Sequence, residues 1–226
     1  MHTPAQMPRM VALSSPTILV TGFEPFEGAT TNPSWEVARA IDGMSVGDAQ
    51  VQACQLPCVF GHALTVLDGV LSRLVAEQRP PVLVVALGLA GSRTEITPER
   101  VAINVDDARI PDNAGHSPID QPVVAGGPVA YFSGLPIKAM VHALRAENLP
   151  ASVSNSAGTF VCNHVFYGLM HRVATQSALA GTRAGFVHVP PWHALPLTHQ
   201  IKALGIVLQT ALSTRQDRIE SDGRID

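Results

Sequence analysis

Val82-Leu83-Val84-Val85-Ala86-Leu87-Gly88 is the stretch on which the fold turns. It runs without polar alternation, is rich in valine and ends at a glycine. A strand with one wet face alternates apolar and polar residues. A continuous β-branched run fits a strand covered on both faces, as in a parallel sheet. Pro80-Pro81 stops whatever precedes it, because proline has no N–H and cannot continue a helix. Two more runs have this character. Thr17-Ile18-Leu19-Val20-Thr21-Gly22 breaks at a glycine, and Ala184-Gly185-Phe186-Val187-His188-Val189 ends in Pro190-Pro191.

Helical patterns alternate with these strands. Asn32-Pro33-Ser34 opens a helix through Ile41, with proline or serine at its start. A strand fits Val51 to Leu56, and helices fit about 61–77, 134–147, Cys162 to Thr175, and 196–212, with a short strand at Ala151-Ser152-Val153-Ser154. The expected architecture is a three-layer α/β/α sandwich with a mostly parallel twisted sheet. Periodicity is lost from Leu89 to Val124, and a loop of that length in a compact domain is usually functional. We divide the chain into a flexible extension (1–15), a single domain (16–214) and a polar C-terminal tail (215–226) expected to fray.

Composition narrows the function. The chain has 226 residues, 46% apolar and 15% charged, enough to bury a core without staples. A net charge of −3 gives no footprint for nucleic acid or an anionic membrane, and no apolar run reaches membrane-spanning length. The first residues do not read as a signal peptide, and three cysteines are too few and odd for a disulfide framework, so the expected compartment is the cytoplasm. Cys54 and Cys58 form a C-x3-C pair with no second pair to complete a zinc site. Asp106, Asp107 and Asp112 lack metal-loop spacing, and the nine histidines form no helical ligand pair, so no metal is expected.

The chemistry is expected after the strand ends, where sheets of this class collect their sites. Ser156-Ala157-Gly158-Thr159-Phe160-Val161-Cys162-Asn163-His164 reads as a small-residue loop entering a helix, with Val161, Val165 and Leu169 as the apolar stripe. A helix N-terminus and a neighbouring imidazolium both favour thiolate, so Cys162 is a candidate nucleophile; the plain alternative is a small buried apolar residue. His188, at a strand end, is the candidate base or else a hydrogen-bonded core histidine. His164 is the rival base, but two residues apart on a helix it points away from Cys162. Glu99 is the candidate for orienting the imidazole. Thr97-Pro98-Glu99-Arg100 also reads as a capped helix start with an acid favouring the dipole.

Four motifs in order resemble the pyrrolidone-carboxylate peptidases, or type I pyroglutamyl peptidases. They are Thr21-Gly22-Phe23-Glu24-Pro25-Phe26 with Asn32-Pro33-Ser34-Trp35; Ile96-Thr97-Pro98-Glu99-Arg100-Val101-Ala102-Ile103-Asn104 followed by Ala108-Arg109-Ile110-Pro111-Asp112-Asn113; the Cys162 segment; and Phe186-Val187-His188-Val189-Pro190. The resemblance extends from about Thr17 to Leu212. It implies a Cys162–His188–Glu99 triad acting without cofactor on peptides with an N-terminal pyroglutamate. It further implies that Arg109 and the Cys162 N–H stabilise the oxyanion, and that Phe23 and Phe26 clamp the lactam while Asn32 holds their loop. Leu89 and Ile110 complete the implied pocket, and the family suggests a homodimer or homotetramer.

Two positions depart from the family pattern. Leu89 stands in Gly88-Leu89-Ala90-Gly91 where glutamine is usual, and Glu27 replaces a glycine. A rival reading is a relative that binds capped peptide termini without cleaving them, although the triad residues are intact. A nucleoside phosphorylase-like enzyme would need a glycine-rich phosphate loop, and none is evident.

Overall fold

The computed structural model describes residues 15–223. Its central sheet has six strands: β1 (Thr17–Phe23), β2 (Ser45–Val46), β3 (Ala49–Leu56), β4 (Leu83–Leu89), β5 (Thr97–Pro98) and β8 (Arg183–Val189), in the order β2-β3-β1-β4-β8-β5. The four long strands β3, β1, β4 and β8 run parallel, and the two short edge strands are antiparallel. β6 (Val101–Ile103) and β7 (Ala130–Phe132) form a separate antiparallel pair.

Helices cover both faces. Alternate strand residues point to opposite sides, so Ile18, Val20, Val85, Leu87, Val187 and Val189 pack with α1 (Pro33–Ala40), α3 (Ile137–Ala146) and α5 (Leu197–Ser213). Leu19, Val84, Ala86, Ala184 and Phe186 pack with α2 (His62–Ala76) and α4 (Val161–Thr175). Two apolar layers explain why the strands read as unbroken runs. The expected sandwich is therefore present, with its long helices and strands within a few residues of the sequence reading.

Three local expectations fail, each through a long-range contact. Thr97-Pro98-Glu99 does not begin a helix. Thr97 pairs with His188, Pro98 with Val187, and the Glu99 N–H donates to Phe186 O at 2.9 Å. A proline is tolerated there because β5 is the sheet edge. Residues 151–154 form two isolated parallel bridges, Ile96 with Ala151 and Glu99 with Ser154, instead of a strand. The tail is hydrogen-bonded back to the domain over its described part. Asp217 accepts from the Lys138 and Ala139 N–H groups at 3.1 and 2.9 Å, capping the otherwise uncapped α3. Arg100 and Arg145 hold Asp222 through its carbonyl and carboxylate. The expected extension at 1–15 lies, but for residue 15, outside the described residues.

Candidate active site

α4 begins at Val161 after an extended Phe160, and no side chain caps it. Its first-turn N–H groups, including that of Cys162, therefore point out of the helix at the sheet's carboxyl edge. Gly158, at φ +76°, turns the preceding loop into that position. Asn163 anchors the same turn. Its amide donates to Ile103 O and Val105 O, and its oxygen accepts from the Ile103 N–H.

The thiol rests on β4. A Cβ placed on Gly88 would lie 2.8 Å from Cys162 Sγ and 2.7 Å from Phe186 Cζ, so only glycine leaves room there. Gly88 is the register partner of His188. The register thus puts the imidazole on the same face of the sheet as the sulfur, and both side chains line one cavity.

His188 is buried and its Nδ1 donates to Glu99 Oε1 at 2.7 Å, which leaves Nε2 as the nitrogen free to exchange a proton. Glu99 is fully buried. Arg93 Nη1 also donates to Glu99 Oε1, at 2.6 Å, while its Nη2 donates to Ser154 Oγ and Ser156 O, both at 3.0 Å. Arg93 therefore couples the orienting carboxylate to the loop that leads into Cys162. Sequence reasoning missed it, because a single arginine in an aperiodic stretch carries no local signal.

Burial pushes the Glu99 carboxyl up, but the hydrogen bond and charge of His188, the Arg93 guanidinium and the Ser154 hydroxyl outweigh it. The carboxyl is held below its ordinary range. The thiol behaves otherwise than expected. Burial pushes Cys162 well up, Cys58 and Glu99 add to this, and only Arg93 opposes it. Burial thus opposes the helix start and imidazolium expected to favour the thiolate, although the half-buried residue still lines the cavity.

The shared cavity has a volume of about 170 Å³. Phe23, Phe26, Leu89 and Phe160 give it apolar walls, and Asn32, Cys58, Cys162 and His188 are among its other lining residues. Asn32 caps α1 by accepting from the Ser34 N–H at 3.0 Å, and its amide donates to Glu24 O at 3.0 Å, tying down the loop between Phe23 and Phe26. The Glu24 carboxylate accepts from the Cys58 N–H and from Asn113, closing that loop against the next strand end. Arg109 and Ile110 are placed elsewhere. They border an adjoining cavity of about 600 Å³ with Glu27, Asp107, Gly158 and Thr159, and Phe160 belongs to both.

The remaining candidates are occupied structurally. His164 donates from Nδ1 to Asp106 at 2.8 Å, and its Nε2 accepts from the Gly61 N–H at 2.9 Å, so it has no nitrogen left for a base. Asp112 accepts from the Phe60, Ala114 and His116 N–H groups. Cys54 is half-buried, and burial pushes Cys58 up to about 12. Among the described residues no helix is long and apolar enough to cross a membrane.

A family model described as "Pyroglutamyl peptidase" matches residues 16–214. A pyrrolidone-carboxylate peptidase of Cupriavidus taiwanensis is 56% identical over 221 residues, covering 93% of this chain and 99% of its own. One of Klebsiella pneumoniae is 58% identical over 173 residues, 76% of this chain and 77% of its own. The crystal structure of Bacillus amyloliquefaciens pyroglutamyl peptidase I superposes with a TM-score of 0.83 at 42% identity, covering 90% of this chain and 100% of that one.

Proposed function

The chain belongs to the pyroglutamyl peptidase family, and from that premise we propose how its own residues divide the work of removing an N-terminal pyroglutamate. The protein is a cysteine peptidase of this type. Cys162 is the nucleophile, His188 the proton carrier and Glu99 the group that orients His188. The observation that carries this assignment is the Glu99–His188 hydrogen bond, on an imidazole that lines one cavity with the Cys162 sulfur.

Pyroglutamate is a flat, neutral lactam with no free amine, so an acidic amine-binding pocket has nothing to hold. A small cavity walled by Phe23, Phe26, Leu89 and Phe160 suits it. The resting thiol is neutral. As sulfur bonds to the substrate carbonyl carbon, the thiol proton passes to His188 Nε2, and Glu99 and Arg93 stabilise the imidazolium. The oxyanion that forms is met by the Cys162 N–H at the helix start, and Arg109, which borders the adjoining cavity, is the second donor this reading assigns. His188 then returns the proton to the departing amide nitrogen, leaving a thioester between Cys162 and the pyroglutamyl group. Water, deprotonated by His188, hydrolyses it and frees the thiol.

Release of a fluorophore from a pyroglutamyl amide under reducing conditions tests the reading, with Cys162→Ala, His188→Ala and Glu99→Gln alongside. Loss of release in the first two, with thermal stability kept, supports it. Undiminished release from Cys162→Ala refutes it. We also propose a homodimer or homotetramer in the cytoplasm. The free thiols of Cys54, Cys58 and Cys162 support the compartment. The exposed Val129 and Phe132 (87% and 73%) support an assembly, which sedimentation would measure.

A further inference from the structure

The small cavity that suits the lactam leaves the rest of the peptide to be housed elsewhere. A second cavity, of about 600 Å³, adjoins it, with Phe160 lining both. Its walls are the turn after Phe26, the segment holding Asp107, Arg109 and Ile110, and the loop before Cys162, so it lies beside the lactam cavity. Three charged side chains border it: Glu27, Asp107 and Arg109. None of them is engaged in an ion pair among the described residues.

We propose that this cavity receives the residue following pyroglutamate, and that Glu27, reinforced by Asp107, makes the enzyme prefer a lysine or arginine there over an acidic residue. This deepens the peptidase reading above and rests on it. With Arg109 committed to the oxyanion, two carboxylates remain to face the incoming side chain.

The presentation of Glu27 is preorganised. Phe26-Glu27-Gly28-Ala29 is a tight turn in which the Ala29 N–H donates to Phe26 O at 3.1 Å. Glu27 and Gly28 have φ of +53° and +74°, the consecutive left-handed pair of a type I′ turn. A side chain with a Cβ is disfavoured in that region, so glutamate is kept there against the local preference. Asn113 pins the base of the turn, donating to Pro25 O and Glu24 Oε1, both at 2.9 Å. The carboxylate therefore leaves a fixed backbone, and only its own side-chain rotamers remain to be ordered when a cation arrives.

An exposed charge pair changes an affinity by up to about fivefold, and salt screens it. Attraction for a cation and repulsion of an anion then separate the two substrates by about tenfold in kcat/KM. The test uses three pyroglutamyl peptides identical except for lysine, glutamine or glutamate at the second position. Pyroglutamate release is measured at low and high salt with wild type, Glu27→Gln and Glu27→Lys. The expected order is lysine, glutamine, glutamate. The spread should narrow in salt and in Glu27→Gln, and reverse in Glu27→Lys. Equal kcat/KM for the lysine and glutamate peptides in the wild type, or an unchanged order in Glu27→Lys, overturns the proposal while leaving the peptidase reading standing. No release from any of the three peptides overturns both.

Discussion

Gly88→Ala isolates the support of the thiol. The added methyl would meet Cys162 Sγ at 2.8 Å and the Phe186 ring at 2.7 and 2.9 Å, where about 3.5–4.0 Å is comfortable. Roughly 0.7 Å or more of overlap must be relieved on each side. Phe186 is fully buried and stiff, so part of the strain stays in the core and costs about 1–3 kcal/mol, the usual range for overpacking. For a chain of this size that is a drop of roughly 2–12 °C in Tm. The sulfur can yield more easily, by rotating off β4, and doing so carries it away from His188. A displacement near 1 Å costs on the order of 10²-fold in rate. The variant should therefore fold, melt a few degrees early, and lose about a hundredfold in kcat/KM on a pyroglutamyl fluorogenic amide. Wild-type kcat/KM with an unchanged melt would refute the placement of the thiol on the Gly88 backbone.

Further outcomes follow from the same geometry. Because the folded Glu99 carboxyl sits below its ordinary range, it adds stability that is present above the unfolded value of about 4.3 and is lost as pH falls through the folded one. Glu99→Gln should flatten the acid limb of the Tm-versus-pH curve, and an unaltered limb would contradict this. Because burial holds the Cys162 thiol neutral, its alkylation by iodoacetamide in the empty enzyme should climb with pH through the alkaline range. A plateau at neutral pH, followed by peptide mass spectrometry, would instead indicate a preformed thiolate. Asn32→Ala removes the α1 cap and the tie to Glu24, so stability should fall by about 1 kcal/mol. KM should rise more than kcat falls as the Phe23–Phe26 wall loosens. A denaturant melt and steady-state kinetics check both.

Most of the layer architecture was legible along the chain, because each long strand is covered on both faces and several helices begin or end at a strong local signal. Pro33 starts α1 and Pro80-Pro81 separates α2 from β4. The failures lie where a partner distant in sequence decides. Thr97-Pro98-Glu99 carries the residues of a helix start, yet pairing with β8 fixes it as an edge strand and buries Glu99. Asp217 looked like part of a fraying tail until α3 supplied two N–H groups for it.

The candidate site divides the same way. Cys162, His188 and Glu99 could be singled out by residue type and motif, and the rival His164 was excluded by helical spacing alone. What the chain could not show was Arg93 meeting Glu99, the thiol lying on Gly88, or Arg109 and Ile110 standing in a second cavity. The burial that opposes thiolate formation was hidden for the same reason, since a helix start is visible locally but desolvation depends on everything packed around the sulfur.

The sequence by itself determined the alternation of strand and helix, the double-sided burial of the sheet and the residues able to do the chemistry, because backbone propensity and apolar period act between near neighbours. Only the tertiary structure decided which oxygen meets which nitrogen, how far the thiol is desolvated and where the substrate's second residue has room, because distance, desolvation and cavity shape arise between segments a hundred or more residues apart, as Cys58 and Cys162 are.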